Sequence, residues 1–136
     1  MRNYEALIRL ARFKVEELQK QMATIEQARG DLERQVEQLA ASVPEEQVAA
    51  NASKEGFVAY GSYAQAVINR KNNLRVSIDE VDGQAEKLRA ELEAAFAELK
   101  KYEIMEDRRV EAARQSREKR AQAAIDEVAQ RKRAAG

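Results

Sequence analysis

One apolar stripe runs from Tyr4 to Val43 through Ile8, Ala11, Val15, Leu18, Met22, Ile25, Arg29, Leu32, Val36 and Leu39. Its steps alternate four and three residues without a break, the spacing that keeps one helical seam turned toward a partner helix. Arg29 is its only charged member. A second stripe follows the same alternation through Phe57, Tyr60, Ala64, Val67, Lys71, Leu74, Ile78, Val81, Ala85, Leu88, Leu92, Ala95, Leu99 and Tyr102, with Lys71 as its only charged member. Two long amphipathic helices are therefore predicted, helix one over about 3–43 and helix two over about 54–133. Pro44 lacks an N–H and disfavours a helical Val43, so helix one is expected to stop there and a connection to occupy about 44–53. Ser42 with Glu45 resembles a capping box within that connection, and Asn51 or Ser53 is suited to cap helix two.

Two such stripes joined by a short polar connection predict an all-α fold. It is a long two-helix antiparallel coiled coil, a helical hairpin filling one domain over residues 1–136. Seam residues then pair so that their numbers add to about 96 or to about 103, and the spacing leaves both alignments open. Either alignment brings Arg29 and Lys71 within about one layer of each other. That polar layer reads as an alignment lock or a flexible point, or equally as tolerated surface polarity.

Lengths differ. Helix one, at about 40 residues, spans roughly 60 Å, and helix two, at about 80, roughly 120 Å. Helix one is expected to cover helix two only as far as about residue 102. Residues 103–136 are left as a C-terminal overhang that propensity alone would hold only partly helical. Residues 107–136 carry nine basic and five acidic side chains, so this end is basic on a chain whose formal net charge is zero.

Composition sharpens the picture. Ala, Glu, Lys, Leu and Arg supply more than half the chain, and aromatics only 5%. That balance suits long helices and opposes a thick layered core. With no Cys and no His, thiol nucleophiles, Ser-His-Asp triads and zinc sites built on those ligands are excluded. The glycines form no phosphate-binding loop. Acidic clusters such as Asp79-Glu80-Asp82 sit on helix faces with no pocket to shift their protonation. The chain is accordingly read as no enzyme, with no catalytic residue, metal or cofactor. No stretch of about 20 apolar residues occurs, so no spanning helix is expected. The basic tract Arg108, Arg109, Arg114, Arg117, Lys119, Arg120, Arg131, Lys132 and Arg133 offers a weaker alternative, a coiled coil that binds nucleic acid. Acids interrupt the tract and the net charge is nil, so no nucleic-acid partner is expected. Near the tip, Tyr63, Val67, Arg70 and Leu74 share one helical face, which reads as a docking surface or, through Val67 and Leu74, as core.

Tyr60-Gly-Ser-Tyr63 opens the second stripe, and Leu99-Lys-Lys-Tyr102 ends it. Glu106-Asp107-Arg108-Arg109 follows, and Ala124-Ile125-Asp126-Glu127-Val128-Ala129-Gln130-Arg131 lies near the end. In order and spacing these segments resemble the flagellar export protein FliJ family over about residues 57–133, while Leu7-Ile8-Arg9-Leu10-Ala11 matches by pattern. The chain departs from some relatives in having no tryptophan and many alanines along helix two.

The resemblance implies a non-enzymatic, stalk-like component of the type III export apparatus. Such a protein binds the hexameric export ATPase FliI, stimulates it, and couples it to the export gate protein FlhA. Export chaperones are further implied partners. It implies a monomer in isolation and a cytoplasmic location, peripheral at the inner membrane through the gate. Carried onto this chain, ring contacts are expected at Arg108, Arg109, Arg114, Arg117, Asp126, Glu127 and Arg131. Gate contacts are expected at Tyr63, Val67, Arg70 and Leu74. The competing readings are a generic coiled-coil scaffold and a stalk from a virulence-type secretion system.

Overall fold

The computed structural model describes residues 3–136, and among them there are two helices and no strand. Helix α1 spans Glu5–Asn51 and helix α2 spans Lys54–Ala135. The chain divides into two compact units, one made of Glu16–Glu93 and the other of Met1–Val15 with Ala94–Gly136. In each, a stretch of α1 packs against a stretch of α2.

The seam is the expected one. Every stripe residue from Tyr4 to Val43 is at least partly covered, as is every member of the second stripe except Phe57 and Lys71. In the unit that contains the turn, the best-buried stripe residues are Leu18, Leu74 and Leu88. In the other unit they are Ala11, Val15 and Ala95. A two-helix seam is too thin to seal its residues fully, and among the described residues no large side chain is wholly buried.

The connection departs from expectation. Helix α1 does not stop at Pro44 but runs through it to Asn51. Pro44 removes one backbone donor and crowds the preceding turn, yet Glu45, Glu46, Gln47, Ala49 and Ala50 all favour helix. The added turns also bury Ala50. Gly56 in the first turn of α2 lets the two helix ends meet. A Cβ there would lie 2.9 Å from the Ala49 carbonyl oxygen and 3.4 Å from the Ala50 Cα. Ser42 forms no capping box; its hydroxyl donates to the Leu39 carbonyl at 2.7 Å. Ser53 is the cap of α2, its Oγ accepting the Gly56 N–H at 2.9 Å.

Moving the turn to Ala52–Ser53 moves the alignment with it. Near the turn, Ser42 faces Tyr63 and Gln35 faces Arg70. Farther along the same unit, Arg29 reaches Asp82, about one heptad beyond the larger of the two expected alignments. In the other unit Tyr4 meets Glu106 and Arg12 meets Glu103. Coverage of α2 therefore does not end at residue 102. Met105, Glu106, Arg109, Ala113 and Ser116 remain partly covered, and unbroken exposure begins only at Arg117.

The polar layer is corrected too. Arg29 donates through Nε to Asp82 Oδ1 at 2.6 Å and also pairs with Glu33, whereas Lys71 is exposed. The layer is an Arg29–Asp82 pair, because the later turn slides α2 past the position at which Lys71 would have faced Arg29.

Three stability outcomes follow. Pro44→Ala restores a backbone donor within α1 and should stabilise the turn end by up to about 3 kcal/mol, read as a higher midpoint in urea followed by circular dichroism. Arg29→Leu should raise the thermal midpoint, since polar seam residues hold alignment at a cost in stability. Asp82→Ala should lower the thermal midpoint only slightly, as expected for a solvent-accessible pair.

Candidate functional site

Two regions carry the expected contact residues. The first is the C-terminal part of α2. Arg109 is half-buried and donates to Glu106 at 2.6 Å and 3.1 Å, a two-point grip on one carboxylate. Arg108 is exposed. Arg114 binds Glu111 one turn before it, at 2.6 Å and 3.1 Å, and pairs with Glu118 one turn after. Glu127 accepts from Arg131 at 2.8 Å, and Asp126 accepts from Gln122 at 3.0 Å. Arg117 is exposed, as is every residue after it.

These pairs lie three or four residues apart, where helical side chains meet. With Lys132 and Arg133 in the last turn, where cations suit the helix dipole, they explain why the arm is helical to Ala135 and not partly formed. Arg117, Lys119 and Arg120 add exposed positive charge, and Ile125 and Val128 add exposed apolar surface. The arm therefore offers cations for acidic partner groups and a small apolar strip beside them.

Electrostatics distinguish Glu106 within this region. Its carboxyl is held below the ordinary glutamate value of 4.5, first by the Arg109 hydrogen bonds and then by the Tyr4 backbone N–H. Arg109 is raised in return by the same contact. Glu111 is lowered by Arg114 in the same way.

The second region is the turn. Tyr63, Val67, Arg70 and Leu74 do share a face of α2, but that face is turned toward α1. Leu74 is buried at 6% exposure, and Val67 and Tyr63 are half-buried. The Tyr63 hydroxyl lies 2.7 Å from Ser42 Oγ, tying the helices together, and exposed Arg70 donates to Gln35 at 3.4 Å. Val67 and Leu74 are thus members of the seam, as their spacing allowed. The tyrosine rings of Tyr60 and Tyr63 sit 6.1 Å apart, a tilted pair. They join Glu46, Ala49, Ala50, Gly56 and Ala59 around a cavity of about 140 Å³.

What the turn presents outward is different: Val48, Phe57 and Val58 are all more than two-thirds exposed. Phe57 fits the seam spacing yet lies outside it, since at the very start of α2 the chain is still closing the turn. Sequence spacing could not show this, because it depends on where α1 ends. Among the described residues no helix is long and apolar enough to cross a membrane, and no cluster of acidic side chains is arranged to hold a metal ion.

The family model described as "Flagellar FliJ protein" matches residues 1–135. Comparisons with curated proteins and with solved structures return no match.

Glu106, Asp82 and Glu111 all have depressed carboxyl values, so each contributes stability that is present above its ordinary value and lost as pH falls through the folded-state value. Thermal stability should therefore decline from about pH 5 downward. Glu106→Gln, with no carboxylate left to protonate, should flatten part of that decline in thermal melts recorded across the acid range.

Proposed function

We propose, because this chain belongs to the FliJ family and is thereby a component of flagellar protein export, that it acts on the export ATPase without performing chemistry of its own. The C-terminal arm enters the ATPase assembly, and the turn end meets the export gate. The observation that carries this reading is the arm itself. From Arg117 onward α2 is helical and exposed on every side, and it bears Arg117, Lys119, Arg120, Arg131, Lys132 and Arg133. A helix that keeps its form without a packing partner is ready to be received by another protein.

Coupling without catalysis needs only differential affinity. A protein that binds assembled ATPase subunits better than free ones shifts them toward the ring, by as much as its preference for the assembled state. Cations on the arm meet acidic groups of the ring, and such contacts steer association as well as hold it. At the turn, Val48, Phe57 and Val58 supply an apolar contact for the gate beside exposed Arg70 and half-buried Tyr63. Export chaperones are further partners on this reading, and association with the membrane is peripheral, through the gate. The match to a flagellar family favours this account over a generic scaffold or a virulence-type stalk.

Purified protein added to the cognate export ATPase should raise its turnover and its hexamer fraction at subunit concentrations where the ATPase alone is largely dissociated. Reversing charge at Arg117, Lys119 and Arg120 to Glu should cut that stimulation several-fold while leaving the protein's helix content and melt unchanged. An ATPase indifferent to the unaltered protein, in both turnover and assembly, would remove the basis for the proposal.

A further inference from the structure

Tyr4 stands immediately before α1, and its carbonyl accepts the Ile8 N–H at 2.9 Å. It occupies the capping position but lacks the short side-chain oxygen that Ser, Thr, Asp or Asn would turn back onto the first turn. The backbone N–H of Tyr4 instead donates to Glu106 Oε2 on α2 at 2.9 Å. Within a single helix, a Glu in the first turn makes this reciprocal bond and closes a capping box. Here the carboxylate comes from the opposite helix, 102 residues away in sequence.

Glu106 is held in place for that task. Arg109 grips both of its oxygens, and the two side chains are only 16% and 25% exposed. A cross-helix ion pair nearby, Arg12 with Glu103, is long at 3.9 Å, and its side chains are 56% and 46% exposed. Apolar hold on the first turn is slight as well. Tyr4 and Ile8 are half-buried, Leu7 and Leu10 are exposed, and well-buried seam residues begin only at Ala11 and Val15.

We propose that Glu106, aimed by Arg109, is a latch on the start of α1. Closed, it docks the first two turns of α1 against α2. Open, it releases those turns up to about Ala11 and leaves the seam from Val15 onward in place. Release uncovers Ile8 on α1 and, on α2, the Glu106–Arg109 pair, which stays joined because both residues lie on that helix. The latch stands on contacts within the chain and does not rest on the ATPase reading.

Amide hydrogen exchange on the full chain, resolved to short peptides, tests it. In Glu106→Ala the amides of Ile8–Arg12, whose carbonyl partners lie in the first turn, should exchange about five- to tenfold faster, the effect expected for losing a helix cap. Amides of Leu88–Ala95 should keep their rates. Arg109→Ala should act in the same direction, and Glu106→Gln, which retains an oxygen for the Tyr4 N–H, should recover part of the protection. Unchanged exchange over Ile8–Arg12 in Glu106→Ala would overturn the proposal. So would uniform acceleration across both helices, which would mean general unfolding without a latch.

Discussion

Almost everything in this molecule depends on one narrow seam, in which apolar side chains from α1 and α2 meet at alternating four- and three-residue steps. The seam is only two helices wide. Its buried members still show measurable exposure, and among the described residues no large side chain is sealed from water. Burial per residue is therefore modest, and the fold depends on length to accumulate it. A seam of that kind also tolerates sliding, because each heptad resembles the next. The turn and polar contacts between the helices oppose sliding, among them the Arg29–Asp82 pair in one unit and the Tyr4–Glu106 bond in the other.

The stripes were legible in the sequence almost residue for residue, since periodicity reports the direction in which side chains point and a long unbroken period admits few alternatives. The place where the chain turns was not. Pro44 is a strong local stop signal, but a stop signal is a cost, and here the gains on its far side exceed it. Ala50 is buried, Gly56 permits close approach, and Ser53 caps α2. Those gains exist only once the two helices are together, so no reading of Pro44 and its neighbours alone could weigh them.

That single displacement explains the other departures. In the unit that holds the turn at Ala52–Ser53, Asp82 in place of Lys71 faces Arg29; in the other unit the start of α1 meets Glu106. The Tyr63 face had two readings at the level of spacing, and the seam claims it because Leu74 and Val67 are needed for packing. The basic arm was legible in its charge and its lack of a stripe, but its start came out some fourteen residues early, again through the alignment. Glu106 offered the least signal. In sequence it is a polar residue at a seam position beyond the good part of the stripe, and its role depends on a backbone N–H that only the folded alignment brings near.

The contrast between the two ends of α2 bears on how a two-helix protein can serve a larger assembly. At the turn, packing consumes the aromatic and aliphatic side chains first, and what remains outward, Phe57 with Val48 and Val58, is what the closing geometry could not use. At the other end the seam runs out of apolar residues before the helix ends, and charge pairs three or four residues apart take over the work of keeping it helical. Pairs of that type are individually weak and easily exchanged. An arm held this way is helical to Ala135 without packing against α1, and its ion pairs exchange at little cost. A third helix packed there would have been more stable and would have left those cations unavailable.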